Sequence, residues 1–138
     1  MPHVASATIV STDRNYLHHI DAGHFAMTTD EPAKLGGQGS APAPFDYHLA
    51  SLAACTAITL RMYAERKGWN LGEFRAELRL DRDEDGKLHV QRTLHSDQPL
   101  TDEQWQRPLE IVANTPVTKA MREGVGIASV RGDMTASS

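Results

Sequence analysis

The spacing of apolar residues changes character several times along this chain. Residues 4–12 (VASATIVST) are β-branched and alanine-rich and predict a strand. Asp13, Arg14 and Asn15 have turn chemistry. Residues 17–20 and 24–29 predict two further strands, paired as a hairpin across Asp21, Ala22 and Gly23. Apolar periodicity then stops in residues 30–43 (DEPAKLGGQGSAPA), a Gly/Pro loop whose glycines are expected to supply flexibility. The loop is long for a connection, and long ordered loops are often functional.

The rest of the chain is organised around residues 44–68 (PFDYHLASLAACTAITLRMYAERKG). Alanines with Leu49, Leu52, Leu60 and Met62 make a strong helix former. Pro44 suits a first turn, where its missing N–H would have no partner anyway, and Gly68 is a natural stop. At 1.5 Å per residue the predicted helix is about 36 Å long. Arg61, Glu65, Arg66 and Lys67 collect in its last third. The first two-thirds are apolar nearly all round, and such a helix belongs inside a structure.

After Gly68 the period becomes two. Phe74, Ala76, Leu78 and Leu80 alternate with Arg75, Glu77, Arg79 and Asp81, which predicts a half-buried strand. Residues 83–86 (DEDG) form a turn. Leu88, Val90 and Leu94 then define an antiparallel partner strand whose apolar face is interrupted by Arg92. Thr101 and Gln104 fit a capping box and open a helix that Pro108 should kink or split. Thr115 as N-cap and Pro116 at the first position start another helix, ended by Gly124 and Gly126. Residues 127–134 predict a last strand. Strands, one long helix, strands, short helices and a strand make an α+β chain. No repeat or linker divides it, so residues 1–138 are expected to form a single domain. Six short strands give one monomer little cover for the long helix, which implies a dimer in which two such helices pack together.

Composition changes this picture little: 40% hydrophobic and 23% charged residues over 138 positions are ordinary for a globular domain. A net charge of −4, with no basic run, argues against nucleic acid or an anionic membrane as partner. The N-terminus lacks the basic and apolar regions of a signal peptide, and no stretch reaches the roughly 20 apolar residues of a membrane span. The single cysteine, Cys55, excludes an internal disulfide framework and suits a reducing compartment, so a cytoplasmic location is expected. His18, His19 and His24 cluster, but neighbours on a strand point to opposite faces. Neither C-x-x-C nor H-E-x-x-H occurs, and the glycines lack P-loop context, so no metal or cofactor is expected.

Residues 30–69 carry an Asp-x-Pro before a Gly-Gly loop, then Ser-x-Pro-x-Pro opening a helix, then Ala-Ala-Cys-Thr around Cys55. This stretch resembles the central signature of the OsmC/Ohr superfamily. Residues 114–119 (NTPVTK) resemble that family's second motif, and the order of elements matches over essentially the whole chain. The resemblance implies an OsmC-like fold, with antiparallel sheets around a long central helix in an intertwined homodimer. It implies thiol-dependent reduction of organic hydroperoxides in oxidative-stress defence, with Cys55 as the peroxidatic thiol. The family's second cysteine directly precedes the proline of the second motif; Thr115 stands there instead. That leaves a one-cysteine cycle with an external thiol reductant. The family's arginine in the N-terminal turn falls on Arg14. Its acid at the helix start is replaced by Phe45, with Asp46 following.

The residues themselves set further conditions. The attacking species is a thiolate, burial raises a cysteine pKa, and the macrodipole acts only near helix ends. Cys55 therefore needs a cation brought to it, Arg14 first and Arg92 second. Plainer readings stand beside these: Cys55 as a buried core thiol, Arg14 as a solvated turn residue, Arg92 as a packed stem with a snorkelling head. Asp46 has two readings, stabilising the helix N-terminus or orienting an arginine. His48 shares the face of Cys55 but lies about 10 Å away along the helix, so no Cys–His dyad forms within one chain. Three functions remain open: a one-cysteine hydroperoxide reductase, a dimer of the same fold binding a small apolar ligand or sensing oxidants, and a structural dimer.

Overall fold

The computed structural model describes residues 1–132. They fall into two compact units, the first made of Met1–Ala54 and Arg75–His95, the second of Cys55–Phe74 and the chain from Ser96 onward.

In the first unit, β1 (Ala7–Ser11), β2 (His18–Ala22) and β3 (Phe25–Thr29) form an antiparallel sheet in that order. Register aligns Ile9 with Ile20 and Ile20 with Met27, so one face carries an apolar row. The β2–β3 turn lies further on than the sequence predicts. Ala22 pairs with Phe25, leaving Gly23 and His24 as the two-residue loop. Gly23 at φ +62° followed by a residue at negative φ has the pattern of a type II′ turn, whose twist suits a hairpin; Asp21 and Ala22 are thereby released into the strand.

The long helix α1 runs Pro44–Lys67, as its composition predicts. Gly68 ends it at φ +70°. Its N–H bonds to Glu65 O and that of Trp69 to Ala64 O, the paired bonds of a Schellman cap. Tyr63 and Trp69 meet edge-on at 5.2 Å, supplying the apolar contact that accompanies such a cap. Leu52, Leu60 and Ala64 are buried, whereas Phe45, Ile58 and Met62 are each more than half exposed.

β4 (Phe74–Arg82) and β5 (Leu88–Ser96) form the predicted hairpin. Phe74, Ala76, Leu78 and Leu80 are half-buried and alternate with exposed charged residues. Arg92 is half-buried on β5. Asp83 builds the turn, its Oδ1 accepting the N–H groups of Asp85 and Lys87 at 2.9 Å each.

In the second unit, α2 (Asp102–Val112) and α3 (Pro116–Glu123) follow. Both halves of the Thr101–Gln104 capping box are present. Removing the hydroxyl with Thr101→Ala should lower stability by about 1 kcal/mol in urea unfolding. Pro108 does not split α2. Its side chain is fully buried, and that packing offsets the one ladder bond a proline removes. Thr115 and Pro116 open α3 as the sequence predicts. The last predicted strand is absent from residues 124–132, and positions 133 and 134 lie outside the described residues. Val125, Ile127 and Val130 have strand-forming side chains but are 68%, 87% and 92% exposed. A strand needs a ladder partner, and none engages this segment among the described residues.

Candidate functional site

Cys55 lies mid-way along α1, half-buried and in no disulfide. Helical geometry sets its surroundings. Thr56, Leu60 and Ala64 form a fully buried stripe, while Ile58 and Met62 form a stripe that is 55% exposed. Cys55 and Thr59 fall between the two stripes. The Thr59 Oγ1 lies 3.7 Å from the Cys55 Sγ. The thiol is therefore shielded on one side and open on the other, which suits a group that must meet a substrate.

Thr115, the N-cap of α3, is 1% exposed. Its Oγ1 accepts the Thr118 N–H at 3.4 Å and meets the Thr118 hydroxyl at 2.7 Å. Thr118 in turn donates to Val112 O at 3.1 Å. Thr115 thus joins the end of α2 to the start of α3.

Arg14 and Asp46 belong to the first unit, Cys55 and Thr115 to the second. Arg14 sits in an ordered turn. The Thr12 Oγ1 accepts the Arg14 N–H at 3.1 Å and donates to Leu17 O at 2.7 Å. Its guanidinium has no ion pair or hydrogen-bond partner among the described residues. Tyr16 completes the turn at φ +66°, a conformation uncommon outside glycine. Asp46 stands in the first turn of α1, its Oδ2 accepting the Ala43 N–H at 2.9 Å. That carboxylate closes one orphan donor and complements the helix dipole, which is the first of its two readings. The ring of His48 packs edge-on against Phe45 at 6.0 Å.

The sequence assigns no role to Asp30, yet its buried carboxylate accepts four hydrogen bonds. It is 1% exposed. Its Oδ1 accepts Glu31 N–H at 2.8 Å; its Oδ2 accepts Gln38 N–H at 3.2 Å, Ser40 N–H at 3.1 Å and the Ser40 hydroxyl at 2.7 Å. These bonds, the Ser40 hydroxyl foremost, hold its carboxyl below the usual carboxylate range. The loop ends meet where the Thr29 hydroxyl and the Asp30 N–H both donate to Pro42 O. The glycines serve a bonded loop: Gly36 and Gly39 turn it at positive φ, and a buried carboxylate ties it together where it leads into α1. The Arg14 turn is tied to the same loop, through Asn15 Nδ2 donating to Gly36 O at 2.9 Å and the Tyr16 ring lying over Gly36. The Asp-x-Pro and Gly-Gly spacing was the available signal, without a bonding pattern attached.

Among the described residues no group of three or more His, Cys, Asp or Glu side chains could hold a metal ion. No described helix is long and apolar enough to cross a membrane. A cleft of about 350 Å³ in the second unit is lined by Trp69, Leu71, Leu100, Arg107 and Pro108, and does not include Cys55.

Fold and thiol together define an α+β protein with a single cysteine in the middle of its long helix. The OsmC-like protein family model matches residues 37–129, well over half of the chain, and the chain belongs to that family. No curated protein sequence matches it significantly. Among solved structures, an organic hydroperoxide resistance protein OsmC from Legionella pneumophila is 24% identical with a TM-score of 0.65, covering 87% of this chain and 90% of its own. An OsmC-like protein from Mycoplasma pneumoniae is 18% identical with a TM-score of 0.69, covering 88% and 89%. The organic hydroperoxide resistance protein OhrB of Bacillus subtilis is 23% identical with a TM-score of 0.60, covering 87% and 91%. At these identities the likeness establishes the α+β fold.

Proposed function

We propose that this protein reduces organic hydroperoxides through Cys55 as its single peroxidatic thiol, restored by an external thiol. The observation that carries the reading is the half-open placement of the only cysteine, in the middle of the helix that bears the family motif. The Cys55 thiolate attacks the terminal peroxide oxygen. The S–O bond forms, the O–O bond breaks, and the alkoxide takes a proton and leaves as the alcohol. Cys55 is then a sulfenic acid. One external thiol displaces water from it to give a mixed disulfide, and a second releases the Cys55 thiolate as the reductant becomes a disulfide. Arg14, exposed and with no partner for its guanidinium among the described residues, is in this reading the cation that favours the thiolate; Asp46 fixes the start of the helix and orients that arginine.

The reading includes a homodimer in the cytoplasm. Ile58 and Met62 beside the thiol, and Val125, Ile127 and Val130 in residues 124–132, are apolar surface that a second copy would cover. Sedimentation equilibrium at low micromolar concentration should show no folded monomer; a stable one would remove this part of the reading.

A second reading rests on the lack of any second cysteine: a dimer of this fold that binds a small apolar ligand and leaves Cys55 unreacted. Stopped-flow consumption of an organic hydroperoxide with a dithiol reductant separates the two. The wild type should turn over and Cys55→Ser should not. A wild type as inert as Cys55→Ser would leave the ligand-binding reading.

A further inference from the structure

We propose that Thr59 is a further catalytic residue, donating a hydrogen bond to the Cys55 thiolate; this rests on the reading of Cys55 as the attacking thiol. A threonine inside a helix commonly returns its hydroxyl to the carbonyl one turn back. Here the residue one turn back is the cysteine, and the Thr59 oxygen lies 3.7 Å from its sulfur, within hydrogen-bond range for so large an acceptor.

With the neutral thiol either group can donate. With the thiolate only the hydroxyl can, and a hydrogen bond to an ionised partner is roughly twice as strong as a neutral one. The contact therefore strengthens on deprotonation and draws the thiol pKa down. This matters because mid-helix placement leaves the dipole little effect and half-burial works against the charged form. Thr59 acts from the same helix as Cys55, so helical spacing brings the two side chains alongside each other and the Thr59 rotamer completes the contact. It is half-buried at the border of the open stripe, on the side from which the sulfur is accessible.

The test uses the full-length wild type with Thr59→Val, which keeps the shape and removes the hydroxyl, Thr59→Ala as a second hydroxyl deletion, and Thr59→Ser as rescue. Iodoacetamide alkylation rates across pH give the Cys55 pKa without reference to peroxide. Both deletions should raise it by about one unit, and Thr59→Ser should return it to near the wild-type value. At neutral pH the deletions should lose roughly 5- to 10-fold in alkylation and in hydroperoxide consumption. Above both pKa values the curves should meet or cross, because a more basic thiolate is the better nucleophile. A structural role alone would change thermal stability and leave the pH profile in place. A pKa that stays put or falls on removing the hydroxyl overturns the proposal. If the pKa rises as expected but no variant, wild type included, consumes hydroperoxide, then Thr59 does bond the thiolate and it is the peroxidase reading that fails.

Discussion

Gly37→Ala should be among the most damaging single substitutions in the chain. A Cβ at Gly37 would lie 1.9 Å from the Glu31 carbonyl oxygen, 2.6 Å from its carbon and 2.7 Å from the Asp30 Oδ1. Two of those atoms are backbone and the third already accepts the Glu31 N–H on a carboxylate whose other oxygen is held by Gln38 and Ser40, so nothing there can yield cheaply. The strain is steric and not conformational, since Gly37 is absent from the residues at positive φ. Overpacking of this kind costs about 3 kcal/mol. Gly39→Ala is the matched control: a Cβ there meets nothing within 4 Å, but φ is +63°, so its cost is the left-handed backbone penalty of about 1–2 kcal/mol. Urea unfolding of both variants checks the order. Because Asn15 and Tyr16 tie the Arg14 turn to this loop, Gly37→Ala should also reduce hydroperoxide turnover below what its loss of folded protein explains. Equal stability for the two variants would mean the loop is not held as described.

The same loop has a predictable response to acid. The folded Asp30 carboxyl lies below its ordinary value of 3.8. A depressed carboxylate stabilises the fold fully above its unfolded pKa and loses that contribution as pH falls through the folded one. Asp30 therefore contributes its full share at neutral pH. Asp30→Asn should destabilise the protein at pH 7 and flatten the acid limb of its stability–pH curve; an acid limb identical to wild type would show that other carboxylates govern it.

What the sequence disclosed and what it withheld follow from the range of the forces involved. The β4–β5 hairpin was legible because Phe74 to Leu80 alternate on a pleat with one face covered. The Schellman cap at Gly68 and the capping box at Thr101 were legible because each is closed by residues within a few positions of one another. Cys55 stood out by being alone and inside a recognisable motif. Asp30 did not, because its partners are backbone N–H groups eight and ten residues on, whose direction depends on a loop path that no local pattern encodes. Helical spacing alone places Thr59 one turn from Cys55, but its bond to sulfur is a matter of rotamer. The missing strand at 127–132 is the opposite error: its β-branched residues have the right chemistry, while strand formation depends on a partner that the pattern cannot name. Pro108 likewise shows a local rule outweighed by tertiary packing.

Excess organic hydroperoxide should inactivate the wild-type protein completely and irreversibly, and an external thiol should prevent it. A sulfenic acid on Cys55 has no second cysteine in its own chain to condense with. It must therefore wait for an external thiol or react with more peroxide to the sulfinic acid. One equivalent of hydroperoxide should leave a dimedone-trappable species at Cys55. Excess should add two oxygen atoms to the peptide that contains it, read by mass spectrometry. Thr115→Cys tests whether the second motif can still resolve that intermediate. The position is an N-cap, where the helix dipole lowers a thiol pKa, and it lies in the same unit as Cys55. Losing the hydroxyl that bonds Thr118 should cost about 1 kcal/mol, which leaves the variant folded. If the two Cα atoms approach within about 7 Å, the variant should pass from sulfenic acid to an intramolecular disulfide and survive repeated peroxide treatment in the presence of a dithiol. A wild-type Cys55 that stays unmodified would rule out the peroxidase reading. A sulfenic acid that persists in Thr115→Cys would show instead that the two motifs do not face each other and that resolution in this protein is wholly external.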